Sequence, residues 1–226
     1  MSDMTSVSLK DRVYAQVLHD VISGEYGVES IISEKKILEQ MQVSKAPVRE
    51  ALIHLCAEGV LSSVPRQGYV VVRYGERELR EILDYRAMIE CGSLEASFDH
   101  ITRTQLRRLE SIVEGEFLFL SANDARDFWQ HTFNFHLTLM SFSENEFAYE
   151  RLDSALSACM RAYRQLYHDR MRGGMPAPPR THRDIVEYIR QGERQRAVET
   201  LRRDIYTLID ANDDVREEMQ NESRDL

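Results

Sequence analysis

Val43–Leu52 reads VSKAPVREAL, and the organisation of the chain is built outward from it. Lys45 and Arg49 stand four residues apart, while Val48, Ala51, Leu52 and Leu55 repeat at i, i+3, i+4 and i+7. At helical spacing the four apolar residues form one buried stripe, and the two cations share the opposite side. Ser44 stands where an N-cap is needed, and Gly59 follows the last apolar residue as a stop. Upstream, Val13, Val17, Leu18, Val21 and Ile22 mark a first helix that Gly24 ends. Ser33 then offers an N-cap with Glu34 in the first turn, and Ile37, Leu38 and Met41 form the apolar side of a second helix. The break Gln42–Lys45 separates it from the third. Downstream, Val60–Val72 reads VLSSVPRQGYVVV, two β-prone arms around Pro65–Gly68 with a cation at the tip. Helix, helix, short turn, helix and hairpin make a winged helix-turn-helix, whose third helix enters a major groove while the hairpin flanks it.

After Val72 the pattern changes to helix upon helix, roughly over 77–97, 103–121, 123–141, 144–171, 180–191 and 193–219. Leu79, Ile82, Leu83, Met88 and Leu94, then Leu106, Leu109 and Ile112, supply the repeating apolar positions. A loop rich in Gly and Pro near 172–181 interrupts the series. Short connections between amphipathic helices predict an all-α antiparallel bundle. The expected fold is mainly α, with a winged domain over 8–73 and a helical domain over 74–221.

Composition narrows the function classes. The 226 residues carry a formal charge of −9, with 42% hydrophobic and 30% charged residues. Residues 1–72 hold seven Lys and Arg against nine Asp and Glu, and all four lysines precede residue 46. Neither part is basic, so contact with a polyanion must come from local placement. Three separated cysteines, Cys56, Cys91 and Cys159, imply no disulfide framework. No run of about 18 apolar residues and no apolar signal core are present, so a soluble cytoplasmic protein without membrane contact is expected.

Three segments carry a resemblance. SEKKILEQMQVSKAPVREALIHLCAEGVL (Ser33–Leu61) followed by RQGYVVV (Arg66–Val72) resembles the GntR family of bacterial transcription regulators. YRAMIECGSLEAS, FHLTLMSFSEN and the closing HRDIVEYIRQGERQRAVETLRRDI narrow it to the FadR-type subfamily, whose C-terminal part is the helical FCD ligand-binding domain. The likeness runs from about residue 8 to 212. Where the family often has Pro-Gly after helix 1, this chain has Val28-Glu29.

The resemblance implies double-stranded operator DNA, near-palindromic, as a partner of a homodimer. It places Lys35, Ser44, Lys45 and Arg49 at DNA-contacting positions and Arg66 and Gly68 in the wing. The chemistry agrees: helix N-termini offer N–H groups to phosphate, and Arg49 can give two donors to guanine O6 and N7. Gly68 is expected to let the wing backbone approach the duplex. The plain alternative is a solvated face, with Arg49 paired to Glu50 or Glu34. Ala46 stands where Thr or Arg is common, which implies an individual base preference.

Many FCD domains hold a divalent metal through an Asp four residues before a His and two further His. Those positions here read Thr132, His136, His182 and Asp204. Two imidazoles and one carboxylate suffice for a three-ligand site for Zn, Ni or Mn, open to water or an anionic effector. The alternative is a metal-free polar pocket in which the histidines bond each other or Asp204. Arg86 and Glu90, at i and i+4, read as a helix salt bridge; the resemblance alternatively implies Arg86 as an anchor for an effector carboxylate, with Thr132 and Arg161 as further effector contacts. His19, His54, His100 and His168 read as structural or exposed.

The resulting expectation is a non-enzymatic, ligand-responsive regulator whose operator affinity a small organic acid controls. Two alternatives stand beside it: a helical domain that only dimerises, and a metal-dependent hydrolase, against which no partnered general base is visible.

Overall fold

The structure is a computed structural model that describes residues 8–28, 30–119, 125–171 and 181–222. Side chains are described for 8–28, 30–115, 131–167 and 181–209. Glu29, most of the Gly/Pro-rich loop over 172–181, and the His168 side chain lie outside that description. The chain divides into two compact units, one up to Tyr74 and one from Gly75.

In the first unit, α1 (Leu9–Ser23) starts at Ser8, whose hydroxyl accepts from the Asp11 N–H, and stops at Gly24 in the left-handed region. Helix α2 (Glu34–Met41) starts at Ser33, which caps the Lys36 N–H at 3.2 Å. Helix α3 (Lys45–Ala57) follows a turn in which Gln42 takes a left-handed φ of 53°. Lys45 is therefore already helical, and the break is one residue shorter than its sequence suggests. Ser44 occupies the N-cap position with extended backbone but makes no side-chain capping bond.

Strands β2 (Leu61–Val64) and β3 (Gly68–Val71) form the hairpin, and β1 (Ile31–Ile32) adds to the far edge of β3, giving the antiparallel order β1-β3-β2. Sequence periodicity did not reveal β1: two residues carry no readable alternation, and the strand exists because β3 offers it hydrogen bonds. Val13, Val17, Ile32, Ile37, Val48, Ala51, Leu52, Leu55 and Leu61 are buried in one core. The apolar stripe of α3 is thus inside, and its cationic side is outside.

The second unit contains α4 (Glu76–Ser97), a single 3-10 turn (Phe98–His100), α5 (Arg103–Phe119), α6 (Ala125–Ser141), α7 (Glu146–Met171), α8 (Thr181–Gln191) and α9 (Arg194–Glu222). Helix α4 opens with the Glu78 carboxylate accepting the Gly75 N–H at 2.9 Å. It packs against α6, α7 and α9, while α5 packs on α6 and α8, and α8 on α9. Helix α7 bends at Tyr167, whose backbone leaves the helical region (φ −125°, ψ 27°). Tyr163 and Tyr167 pack ring against ring with centroids 4.9 Å apart, as plain packing predicts.

One expected core residue is misplaced: Met88 is 67% exposed. The inner face of α4 is formed instead by Leu83, Arg86, Ala87, Glu90, Cys91 and Leu94, all buried. A salt-bridge-like pair occupies the core, and an apolar residue faces out.

Candidate functional sites

The outer face of α3 carries Lys45, Ala46 and Arg49, all exposed. Lys45 Nζ stands 3.9 Å from Glu34 Oε2 at the start of α2. Among the described residues Arg49 makes no ion pair with Glu50 or Glu34, so its guanidinium keeps its donors. Tyr69 on β3 donates to Glu34 at 3.5 Å, and burial, with Glu34 adding and Arg49 opposing, pushes its phenol up. Lys35 is exposed on α2 within 3.8 Å of Glu39.

Arg66 lies at the wing tip in the turn Val64–Gln67, closed by the Gln67 N–H donating to the Val64 carbonyl at 3.1 Å. Its φ is 65°, in the left-handed region where a turn following proline favours glycine. Arginine there costs about 1–2 kcal/mol relative to glycine.

Gly68 has a structural reason inside the domain, apart from the one its motif suggests. Its φ is 130°, and a Cβ at this position would lie 2.5 Å from the Ile32 carbonyl oxygen. The glycine is required by the close approach of β1 to β3, inside the domain.

In the second unit, side chains from four helices converge on a buried polar centre. Helix α4 supplies Arg86 and Glu90, α6 supplies His136, α8 supplies Thr181 and His182, and α9 supplies Asp204. Arg86, Glu90, His136, His182 and Asp204 are each no more than 6% exposed. Arg86 Nε donates to Glu90 Oε1 at 2.8 Å, and His136 Nδ1 donates to Glu90 Oε2 at 2.7 Å. His136 Nε2 then lies 3.4 Å from Asp204 Oδ2, and His182 Nε2 lies 3.3 Å from the same oxygen. The Thr181 hydroxyl donates to the other oxygen, Asp204 Oδ1. The His182 ring stacks on Phe135 at 3.9 Å.

Burial alone would raise both carboxyls. At Glu90 the Arg86 charge, and then His136, outweigh it and hold the group below its ordinary value. At Asp204 the opposing groups are His182 and His136, and the carboxyl stays well below the usual range. Both are therefore carboxylates. Arg86, Glu90 and Asp204 together leave one negative charge in the centre, which a cation or a proton must offset.

His136, His182 and Asp204 each offer one donor atom, and these atoms lie within 4.8 Å of one another. The two nitrogen–oxygen separations of 3.3 and 3.4 Å are long for charge-assisted hydrogen bonds. They match the edge of a tetrahedron with metal bonds of about 2.0–2.1 Å, which is about 3.4 Å. Both edges at Asp204 thus suit a divalent first-row cation, and the residue types are those such a cation takes.

Arg86 Nη1 donates weakly to Cys159 Sγ at 3.9 Å, and Nη2 is buried without a hydrogen-bond partner among the described residues. Arg161 is buried on α7, and Thr132 is half-buried one turn before His136 on α6. Arg86 thus joins the centre directly through Glu90. Sequence reasoning passed over Glu90 and Thr181 as site residues. The Arg86–Glu90 spacing was visible but did not disclose burial, and nothing in the sequence tied either carboxylate oxygen to a partner. His19 and His54 lie at the surface beside Asp20 and Glu58.

Comparison with known proteins accounts for both units. Residues 81–207 match the model of the FCD domain, and residues 9–71 match that of the bacterial regulatory proteins of the gntR family. The HTH-type transcriptional repressor RspR of Escherichia coli K12 is 24% identical over 187 residues, 81% of this chain and 79% of its own. The gluconate operon transcriptional repressor of Bacillus subtilis 168 is 28% identical over 137 residues, 61% of this chain and 56% of its own. Among solved structures, Escherichia coli McbR/YncC aligns with a TM-score of 0.72 at 20% identity, covering 91% of this chain and 97% of that one.

Proposed function

The chain belongs to the gntR family of bacterial regulatory proteins, in its FCD-domain form, and is a DNA-binding transcriptional regulator; from that premise we propose that a divalent cation and a small organic acid in the helical unit set its affinity for a near-palindromic operator. The protein acts as a homodimer, each winged unit reading one half-site. Lys45 and Lys35 take phosphates, Arg49 reads a base edge, Ser44 and the N–H groups behind it cap a phosphate, and Arg66 extends the wing.

The single observation that supports the controlled half of this reading is the donor set of His136, Asp204 and His182, with separations of 3.3 and 3.4 Å. When bound, a divalent cation supplies Lewis acidity and an open position for an anionic oxygen. The chain's own residues do the rest. Glu90 orients His136, Thr181 holds Asp204, and Arg86 offers its unpartnered Nη2 to an anion. That buried donor favours a ligand-bearing helical unit over one that only dimerises. Thr132 and Arg161 complete the effector contacts. An effector that binds one arrangement of the dimer better than another shifts the population toward it, and operator affinity changes by the same coupling.

The test is fluorescence anisotropy on the DNA upstream of the protein's own gene, at moderate salt. Specific binding is expected, weakened by Arg49→Ala. Chelator and added Zn, Ni or Mn are expected to move the affinity in wild type and to leave His136→Ala unchanged. Absence of a specific complex overturns the DNA reading. Equal metal content in wild type and His136→Ala overturns the metal reading.

A further inference from the structure

Two of the three donor groups in the helical unit are held by side chains that are not donors themselves. We propose that Glu90 and Thr181 are positioning residues that preset the donor atoms: Glu90 leaves His136 with Nε2 as its one binding nitrogen, and Thr181 leaves Asp204 with Oδ2 as its one binding oxygen. This rests on the metal reading above.

A neutral imidazole has one N–H and one lone pair, and the hydrogen bond at one nitrogen decides which faces the site. Here the acceptor at Nδ1 is the Glu90 carboxylate, 2.7 Å away. The Nδ1–H is committed to it, so the lone pair is on Nε2, the nitrogen that faces Asp204 Oδ2 at 3.4 Å. Glu90 is fixed in turn: its other oxygen accepts from Arg86 Nε at 2.8 Å. Both carboxylate oxygens are thereby engaged, and Glu90 stays behind the imidazole as an orienting group. The Glu90 and His136 side chains are each 2% exposed, so solvent does not replace the bond. A carboxylate behind a ligating histidine also raises the basicity of the ring toward a metal.

Asp204 is divided in the same manner. Oδ1 accepts from the Thr181 hydroxyl, and Oδ2 faces both imidazoles. Binding a cation through both oxygens would require breaking the Thr181 bond. Thr181 precedes His182 on α8, so one turn of helix sets both a ligand and the geometry of its neighbour. A carboxylate limited to one oxygen leaves three protein donors and keeps a fourth position open.

The experiment uses the full chain and Co(II) as the probe, read by visible absorption and by competition with Zn. Wild type is expected to take up one Co(II) with the spectrum of a low-coordinate site. Glu90→Gln, which keeps shape and removes charge, is expected to weaken uptake by about 10–100-fold. Thr181→Val is expected to weaken it by about 10-fold and to shift the band as both carboxylate oxygens engage, and Thr181→Ser to restore both. Where Glu90→Gln alone does not fold, Arg86→Met combined with it removes the charge mismatch and carries the same expectation.

In metal-free protein at alkaline pH, nitrogen-15 spectra are expected to show the His136 proton on Nδ1 in wild type and on both nitrogens in turn in Glu90→Gln. Variants that bind Co(II) as wild type does, or a wild-type proton on Nε2, overturn the proposal. If wild type takes up no Co(II) while the His136 proton sits on Nδ1 and depends on Glu90, the metal reading fails and the positioning of the ring stands.

Discussion

The two units each contain a cation facing a glutamate, in opposite settings. Lys45 and Glu34 stand 3.9 Å apart at the surface, with side chains 69% and 26% exposed. Arg86 and Glu90 stand 2.8 Å apart in the core, at 3% and 2%. Water screens the first pair, so its cation can leave the glutamate for a phosphate at little cost. The second pair has no water to fall back on, and breaking it strands a buried charge. The first arrangement suits a surface that exchanges partners, and the second suits a centre whose side chains stay fixed.

The sharpest way to break this comparison is to remove the glutamate from each pair. Glu90→Ala is expected to destabilise the helical unit by about 3–5 kcal/mol, whereas Glu34→Ala changes the winged unit by less than about 1 kcal/mol. Denaturant unfolding, with helical signal followed for each variant, reads both. Similar losses would mean that burial does not separate the pairs.

Acid is the graded form of the same test. Glu90 and Asp204 are both held below their ordinary values. The stability they contribute is complete above about pH 5 and is lost as pH falls through their folded values, because the unfolded chain takes up protons first. The helical unit of Glu90→Gln is expected to show a shallower acid slope than wild type in melting curves recorded from neutral to acid pH.

At the surface the expected effects are smaller and fall on DNA. Arg49→Ala is expected to cost about 1–3 kcal/mol and to relax preference at one base pair. Lys45→Ala is expected to weaken all sequences alike and to lower the salt slope by about one. Anisotropy titrations over a salt series and a panel of single-base variants separate the two. A uniform loss for Arg49→Ala would make it a phosphate contact. Arg66→Gly is the smallest change and has two signs. Relief of the left-handed arginine is expected to stabilise the winged unit by about 1 kcal/mol, while operator binding weakens. A destabilised variant would show that the φ of 65° carries no strain.

The winged unit was legible because its signals are local. Ser33, Gly24, the stripe Val48–Leu55 and the Pro65–Gly68 turn each act within a few residues. Gly68 shows the limit: its motif position suggested approach to DNA, while its Cβ is excluded by the carbonyl of Ile32, 36 positions earlier and on a strand too short to read. Met88 shows another limit. Helical periodicity put it in the core with Leu83 and Leu94, but it faces out while Arg86 and Glu90 are buried.

The sequence by itself determined the order of the helices and of the hairpin, the third helix with its two outward cations, and the candidate donors His136, His182 and Asp204 at spaced positions. Those features follow from local periodicity, capping and family pattern, which a single segment carries. Only the tertiary structure decided that α4, α6, α8 and α9 meet, that Glu90 stands behind His136, and that Thr181 claims one oxygen of Asp204. The Glu90–His136 link joins residues 46 positions apart and the Thr181–Asp204 link residues 23 apart. Their protonation and donor atoms depend on burial and distance, quantities that exist only once the helices have packed.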